Sequence, residues 1–230
     1  RPIMVLPHPC DSVIDVVEPY VGASESVFVF YSIGTWQERK NMTGLLTAYL
    51  TEFNGYDDIV LVVKVPVPEV SGGMQIRREL ARLKAALRVP NPPKVEIRPG
   101  LWESPRIRGL HARGDCYVSL SRGEGFAIPI LDALSFSSTV IATGWGGHMD
   151  YVSSFPDQFH AVDYRMTPVV QNYPHFTGHM LWADPDLLHA RALMRDVFRH
   201  GRQREHAVAI PQSFWPTTVG QQLLEFIGGD

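Results

Sequence analysis

The sequence predicts an α/β fold, a doubly wound and mostly parallel sheet with helices on both faces. Apolar strands alternate with helical segments along most of the 230 residues, and the connections between them are short. One strand, Ile59 to Val65, is apolar almost throughout, which is typical of a strand that is covered on both faces, as the strands of parallel sheets are. These observations together favour a single parallel sheet over separate helical and strand regions.

The first strand and its helix have the clearest signals. Residues 26–34 are short and rich in Val, Phe and Tyr, as a buried strand should be. Asn41 is a suitable N-cap for the helix that follows. The helix itself has apolar residues at the spacing of one helical face, namely Met42, Leu45, Leu46, Tyr49, Leu50 and Phe53.

The later segments continue the alternation. We predict a helix over 74–87, a strand at 94–100, a helical turn at 105–112, strands at 116–120 and 139–143 around a helix at 128–134, a strand at 159–164, and closing helices at 184–200 and 216–227. Residues 164–186 have no clean period and are expected to be a long loop, a kind of segment that is often functional. Residues 1–24 contain several prolines and form a lead-in or interdomain segment, so the Rossmann-like domain occupies 25–230.

Composition limits the function classes. The net charge is −3 with an isoelectric point near 6.3, which argues against a nucleic-acid partner. No apolar run is long enough to span a bilayer, so at most a peripheral membrane contact is expected. The two cysteines, Cys10 and Cys116, are far apart, and a reducing cytoplasm fits best. Because the chain begins at Arg1 and no signal segment follows, we expect it to be a piece of something longer.

Ligands of open parallel sheets bind at the carboxyl ends of the strands, and three features should lie there. The loop 34–41 carries Arg39 and Lys40 beside a helix start, an arrangement that suits an anion, although a solvated loop looks the same. Lys64 lies in an apolar strand and is expensive to bury unless its amine reaches the edge. The third feature is the corner Gly123–Ala127 between a strand and a helix.

The corner contains an apparent conflict. Amides of Gly125, Phe126 and Ala127 in the first turn of the helix would hold phosphate, whereas Glu124 would repel it. The two coexist if the carboxylate accepts hydrogen bonds from sugar hydroxyls, which points to a nucleotide-sugar. A capping role for Glu124 is the equal alternative. Asp132, two helical turns on, is expected to face the same crevice.

The glycines of residues 144–147 suit a close backbone approach at the same edge, with an ordinary turn as the equal alternative. His148 follows them, and a lone loop histidine is more often solvated than catalytic. No histidine spacing indicates a metal site, and a P-loop and a dinucleotide fingerprint are both absent from the sequence.

Several segments, in order along the chain, resemble the C-terminal, donor-binding half of retaining GT-B glycosyltransferases of the family four type (group 1). "SRGEGFAIPILDA" within residues 116–143 resembles the family's paired-acid motif, Ser-x-x-Glu-Gly-Phe-Gly-x-Pro-x-x-Glu-Ala. "GTWQERKN" resembles its Gly-Arg-x-x-x-x-Lys-Gly loop, and "GGHMDYV" its Gly-Gly-x-x-Glu stretch. The opening "VLPHPCDS" and the closing "QSFWPTTVGQQLLEFI" resemble the segments that enter and end the domain.

The resemblance implies roles for named residues. Lys40 would bind the donor diphosphate and stabilise its leaving charge, with help from Arg39; Gly34 opens their loop. Thr35 replaces the family's arginine, and we expect Lys64 to supply the missing contact. Glu124 would contact the donor sugar. Asp132 stands where the family has a glutamate that holds the ribose, and it is one methylene shorter.

The reaction implied is transfer of a sugar from a nucleotide-sugar, through an oxocarbenium-like transition state, with the anomeric configuration kept. Neither a cofactor nor a metal is expected. An N-terminal domain of the parent chain would complete the acceptor site, so this chain alone should bind donor but transfer little. The alternative is a non-catalytic nucleotide-sugar-binding or assembly module of a larger polysaccharide-synthesis protein. A nucleotide-sugar epimerase of the same architecture is a third, weaker interpretation, because no matching set of acids and histidines is found.

Overall fold

The central sheet of the computed structural model has six parallel strands in the order β3-β2-β1-β4-β5-β6. The structure describes residues 3–10, 17–18, 20–169, 179–201 and 210–228. The order reverses between β1 and β4, where ligands bind in doubly wound sheets. The strands are β1 Phe28–Ile33, β2 Ile59–Lys64, β3 Lys94–Arg98, β4 Cys116–Ser119, β5 Thr139–Thr143 and β6 Phe159–Val162. The predicted doubly wound fold is confirmed.

Helices cover both faces of the sheet. They are α1 Met42–Glu52, α2 Met74–Leu87, α3 Ser104–Arg113, α4 Ile128–Ser135, the single turn α5 Met149–Val152, α6 Leu187–His200 and α7 Pro216–Gly228. Alternate residues of the same strand enter different cores, because successive side chains point to opposite faces. Phe30 of β1 packs with α1, α2 and α6, whereas Val29 and Tyr31 pack with α3, α4 and α5.

The start of α1 is fixed by Asn41, as the sequence predicts. Its side chain accepts a hydrogen bond from the amide of Gly44 at 3.2 Å. The residue adopts the left-handed conformation with φ 48°, which asparagine tolerates better than most residues. This turn follows a short 3-10 segment, Glu38–Lys40, and so sets where Arg39 and Lys40 stand.

The predicted long loop over 164–186 is wrong at both of its ends. Tyr164–Pro168 forms strand β7 and Leu181–Pro185 forms strand β8, and the two pair antiparallel as a separate sheet. Residues 170–178 of the predicted loop lie outside the described residues. The predicted helix start at Asp184 is also wrong, because Asp184 belongs to strand β8. Asp186 is the N-cap of α6 instead, and its carboxylate accepts from the amides of Leu188 and His189.

The described part of the lead-in, within residues 3–24, contains no helix or strand and lies against the domain. The amide of Cys10 donates to the carbonyl of Phe214 at 2.8 Å, and that of Glu18 donates to Pro105 at 3.0 Å. The Tyr20 hydroxyl donates to Glu96 at 3.0 Å. The boundary at residue 24 stays a prediction. Within the described ranges, no helix has both the length and the apolar character needed to cross a bilayer.

Candidate functional site

The carboxyl edge of the sheet brings the three predicted features together. Gly34 follows β1, and its amide donates to the carbonyl of Lys64, the last residue of β2. The corner that contains Glu124 follows β4, the other neighbour of β1. Because parallel strands end at the same edge, all three features meet at the point where the strand order reverses.

Glu124 is held by both cations of the first loop. Lys40 Nζ lies 2.6 Å from Glu124 Oε1, and Arg39 Nη1 lies 3.3 Å from Oε2. Only 8% of the Glu124 side chain is exposed. Burial by itself raises the pKa of this carboxyl, but the hydrogen bond and charge of Lys40, with help from Ser121 and Arg39, bring the pKa below its usual value. The carboxylate is therefore ionised at neutral pH.

The two loops are also joined through their backbones. The Arg39 carbonyl accepts from the Ser121 hydroxyl at 3.1 Å and from the Arg122 amide at 2.8 Å. The Arg39 guanidinium donates to the carbonyl of Gly123 as well as to Glu124. These hydrogen bonds hold the first loop and the corner together. The alternative interpretation, in which Glu124 caps the helix that follows, is wrong. The N-cap of α4 is Ala127, which has no capping side chain.

Lys64 reaches the edge of the sheet, as the cost of burying its charge requires. The residue is 3% exposed, and its amine donates to the carbonyl of Gly100 at 2.6 Å. The amine also lies 5.2 Å from the centroid of the Trp102 ring. Burial first, and then the charge of Arg106, lower the pKa of Lys64. An anion beside the amine would offset both effects.

We call the cavity above these residues the basic cavity. It has a volume of about 530 Å³, and its lining includes Gly34, Arg39, Lys40, Lys64 and Trp102. A second cavity of about 730 Å³, which we call the tryptophan cavity, adjoins it and is lined by Glu124, Gly125, Arg122, Trp145 and Trp182 among others. Gln37 and Arg39 line both cavities, so the two meet beside the Glu124 carboxylate.

The backbone amides of Gly125, Phe126 and Ala127 lie just before α4, not in its first turn as the sequence predicts, because the helix begins at Ile128 with Ala127 as its N-cap. Ala127 takes the left-handed conformation with φ 59°. The Tyr151 hydroxyl lies 3.0 Å from the Phe126 carbonyl and 3.1 Å from the Ala127 carbonyl, and so fixes this turn. Within the described ranges, the amides of Gly125, Phe126 and Ala127 donate to no protein acceptor. Unpaired amides of this kind are able to bind an anion, and that of Ala127 belongs to the N-terminus of α4.

Neither backbone conformation nor crowding requires a glycine at the two glycine positions of the corner. Neither Gly123 nor Gly125 has a positive φ, and a Cβ on either would enter open space. The close approach lies instead at Gly147, where a Cβ would come within 2.2 Å of the Gly125 carbonyl oxygen. The predicted backbone contact of residues 144–147 is therefore present, and it supports the corner from behind.

His148, expected to be solvated, is 1% exposed. Its Nε2 lies 2.9 Å from the Thr143 carbonyl, which fixes the ring against the end of β5. Burial lowers its pKa, so the imidazole is neutral at physiological pH. A neutral ring packed beside the glycine turn is a structural feature of the corner.

Asp132 does not face the cavity of Glu124. It lines a third cavity of about 270 Å³, the Asp132 cavity, together with His8, Arg108 and His111. This cavity shares Trp102 and Ile107 with the basic cavity, so the three cavities follow one another along the edge. Burial raises the pKa of Asp132 to about 6, although Arg108 and His8 oppose the shift. The prediction that Asp132 and Glu124 face one common crevice is wrong. They line two different cavities, and the basic cavity adjoins both.

The sequence reading missed several residues of the site. Trp102 lies between the basic and Asp132 cavities, and Arg106 is 4.1 Å from its ring centroid. Arg122, two residues before Glu124, bonds Glu38 and Asp184, each at 2.7 Å. Trp182 was hidden in the predicted loop. Of these residues, only Arg122 could have been predicted from the sequence, because it lies within the strand-to-helix corner that contains Glu124.

In the part of the chain that the structure describes, no three His, Cys, Asp or Glu side chains are grouped as a bound metal ion requires. The positive charges at this edge of the sheet include those of Arg39, Lys40 and Lys64, which line the basic cavity.

No family model matches the sequence, and no curated protein matches it significantly. Solved structures do match. A glycosyltransferase from Rickettsia africae superposes with a TM-score of 0.60 at 16% identity, over 87% of this chain and 47% of that one. Anabaena HepE in complex with UDP and glucose gives 0.59 at 17% identity, over 89% and 49%.

A third structure identifies the part that matches. The C-terminal domain of a group 1 glycosyltransferase, LpcC from Francisella tularensis, superposes with a TM-score of 0.50 at 17% identity, over 66% of this chain and 80% of that domain. The chain spans about half the length of the first two proteins. At such identities the likeness shows the fold, and the chain has the fold of the C-terminal half of a GT-B glycosyltransferase.

Proposed function

We propose that this chain is the donor-binding part of a retaining glycosyltransferase. It binds a nucleotide-sugar and presents the sugar for transfer to an acceptor with the anomeric configuration kept. The observation that carries the proposal is the meeting of the basic cavity and the tryptophan cavity beside Glu124. Cations suited to two phosphates stand on one side of this carboxylate, and room for a sugar lies on the other.

The diphosphate occupies the basic cavity. Lys40, Arg39 and Lys64, which line this cavity, would face its oxygens. The amides of Gly125, Phe126 and Ala127, which lie just before α4, would add hydrogen bonds from the neighbouring corner. As the bond to the sugar breaks, these groups stabilise the charge that grows on the leaving nucleoside diphosphate. Fixed cations and amides would take the place of a metal ion, and neither a metal nor a cofactor is part of the proposal.

Glu124 contacts the transferred sugar. In the structure its carboxylate is bound to Lys40 and Arg39. We propose that the donor phosphates draw these cations toward the basic cavity, which leaves the carboxylate able to accept hydrogen bonds from sugar hydroxyls. The same charges thus keep Glu124 ionised before the donor arrives and neutralise the phosphates afterwards.

The nucleoside would extend from the basic cavity past Trp102 toward Asp132. Asp132 lines the Asp132 cavity, which adjoins the basic cavity at Trp102. A contact to the ribose hydroxyls, direct or through a water molecule, is consistent with this position. The segment after β3 that contains Gly100 and Leu101 lies near the base in this arrangement.

Partners of the full reaction come from outside this chain. HepE was solved with UDP and glucose, which supports a nucleotide-sugar as the ligand here. Because the chain spans about half of such proteins, we propose that an N-terminal GT-B domain of the parent chain supplies much of the acceptor site. The reaction would take place in the cytoplasm, with at most a peripheral membrane contact.

A thermal-shift panel of UDP-, GDP- and ADP-sugars tests the proposal. A ligand at a hundred times its dissociation constant adds about 2.7 kcal/mol of stability, which is readily measured. Lys64→Ala should weaken binding of the preferred nucleoside diphosphate by about 1–3 kcal/mol, the range for a charged hydrogen bond.

Lys94→Ala is the matched control, because Lys94 begins β3 at the opposite edge of the sheet. Absence of any shift across the panel refutes donor binding. An unchanged affinity of the Lys64 variant, measured by calorimetry, removes that residue from the site.

A non-catalytic nucleotide-sugar-binding or assembly module is the second candidate. It is favoured by the placement of Asp132 and Glu124 in separate cavities. Donor turnover by the full parent chain, with and without Glu124→Ala, separates the two. Turnover that Glu124→Ala abolishes establishes the transferase, whereas donor binding with no turnover establishes the module. The 230 residues alone should bind donor and transfer little.

A further inference from the structure

We infer that the tryptophan cavity is a binding site for a carbohydrate acceptor, and that the β7–β8 hairpin supplies its stacking wall. The inference rests on the proposed function, because it assigns a substrate to the side of Glu124 that faces away from the phosphates. The acceptor would be a sugar or the sugar end of a glycan. Its pyranose ring would lie against Trp145 and Trp182, which line the cavity together with Glu124.

The size of the cavity exceeds what the transferred sugar needs. Its volume is about 730 Å³, within the range of roughly 300–1,000 Å³ that encloses drug-sized ligands, and a single hexose is smaller than these. The transferred sugar must stay next to the basic cavity, where Arg39 and Gln37 line both spaces. The remaining volume, toward the hairpin, is available to a second sugar.

Trp182 is held as a rigid surface. The Arg122 guanidinium lies 5.1 Å from the centroid of its ring, close enough to stack upon it. Arg122 cannot move easily, because its side chain bonds Asp184 and Glu38, each at 2.7 Å. A ring whose position is fixed before a ligand arrives loses little entropy on binding.

Trp145 is fixed in a similar way from the other side. Its ring centroid lies 5.6 Å from that of Tyr164, the first residue of β7. The indole nevertheless stays 44% exposed, which is unusual for so large an apolar side chain. Met180 and Leu181 extend the apolar wall, and they are 43% and 56% exposed.

The hairpin is attached to the corner that carries Glu124. The Ala183 amide of β8 donates to the Arg122 carbonyl at 2.9 Å. Since Arg122 is two residues before Glu124, the stacking wall and the carboxylate are held at a fixed spacing. A sugar on the wall would therefore keep a constant position relative to the sugar beside Glu124.

The mixture of groups favours a carbohydrate over a lipid tail. Pyranose rings present C–H groups on their faces, which suit the negative faces of indole rings, and hydroxyls around their edges. The same cavity offers Gln37, Arg122 and Glu124 as hydrogen-bonding partners for hydroxyls. An alkyl chain would cover the Gln37 amide and the outer sides of the ion-paired Arg122 and Glu124 without offering them a hydrogen bond, which is costly.

Saturation-transfer NMR on the 230-residue chain tests the inference. The probes are methyl glycosides of common hexoses and their disaccharides, with the preferred nucleoside diphosphate at saturation. We expect at least one sugar to bind, and Trp182→Ala and Trp145→Ala each to weaken that binding roughly tenfold. Trp182→Phe should restore most of it, because a ring able to stack remains.

Tyr56→Ala is the control, since Tyr56 is an 89% exposed aromatic residue just before β2, at the opposite edge of the sheet. The inference is overturned if no sugar binds while the nucleotide does, if the tryptophan variants bind sugar like the parent, or if octyl chains bind and free sugars do not. Sugar binding that depends on the tryptophans, in a chain that binds no nucleotide, overturns the proposed function and leaves the carbohydrate site standing.

Discussion

Two carboxylates eight residues apart, Glu124 and Asp132, have opposite electrostatic surroundings. Both are buried, and burial raises the pKa of each. Around Glu124 the bonded cations Lys40 and Arg39 outweigh burial, so its pKa is lowered. Around Asp132 burial prevails over the charges of Arg108 and His8, and its pKa rises to about 6. The comparison teaches that ion pairs at 2.6–3.3 Å outweigh burial at Glu124 and so decide the direction in which its pKa shifts.

Removing the cation from Glu124 should give the largest effect. Lys40→Ala leaves a buried carboxylate without its main partner, and we expect a loss of about 2–4 kcal/mol of unfolding free energy at pH 7.5, somewhat below the figure for fully buried pairs. The Glu124 pKa should rise. Because the loss requires an ionised carboxylate, it should shrink as the pH falls toward 4. Urea unfolding across this pH range provides the measurement.

The double variant Lys40→Ala/Glu124→Gln is its control. Removing the charge as well as its partner should recover most of the lost stability. A double variant that is as unstable as Lys40→Ala would show that Lys40 acts through packing of its stem and not through its charge.

Removing the charge of Asp132 should increase the free energy of unfolding, whereas Lys40→Ala should decrease it. A carboxyl whose folded pKa of about 6 exceeds its unfolded value of 3.8 is penalised in the folded state at higher pH, fully so above pH 6. The penalty fades as the pH falls from 6 to 4, when the folded state takes up the proton. Asp132→Asn should therefore stabilise the chain by about 1–3 kcal/mol at pH 7.5 and by almost nothing at pH 4.

Thermal or urea unfolding at both pH values measures this effect, and binding of the nucleotide reports on function separately. If Asp132 holds the ribose, the stabilised variant should bind the nucleotide more weakly. A variant that is less stable than the parent at pH 7.5 would contradict the raised pKa.

A pair of glycine substitutions tests the support behind Glu124 and should have the smallest effect. At Gly147 a new Cβ would come within 2.2 Å of the Gly125 carbonyl oxygen, whereas at Gly125 it would meet nothing within 4 Å. Gly147→Ala should cost about 1–2 kcal/mol of stability through this backbone clash. Gly125→Ala should fold like the parent and place its methyl in the tryptophan cavity, which Gly125 lines. Equal stabilities of the two variants would refute the close approach.

Much of the site follows from local sequence because parallel strands end at one edge. Once β1, β2 and β4 are recognised from their apolar runs, the residues at or just after their ends, including Lys40, Lys64 and Glu124, must come close together. The asparagine cap of α1 was equally visible. The local pattern could not predict the direction of each side chain. Asp132, on the helix that begins just after the Glu124 corner, lines a different cavity from Glu124.

The hairpin formed by β7 and β8 was not predicted from the sequence, for a different reason. Pro168 and Pro185 end its strands, and prolines argue against strands when read locally. Its two strands are also separated by residues 169–180, so neither signals the other. The two strands pair although they are far apart in the chain, and this pairing places Trp182 in the wall of the tryptophan cavity, the largest of the three cavities described at this edge.

The sequence by itself determined the doubly wound alternation of strands and helices, and the charged residues that gather at the carboxyl edge of the sheet, because periodicity and strand direction are local properties. Only the tertiary structure decided which cation meets which carboxylate, that the two acids occupy separate cavities, and that a hairpin closes one of them. These depend on side-chain directions and on contacts between segments far apart in the chain, which no local pattern encodes.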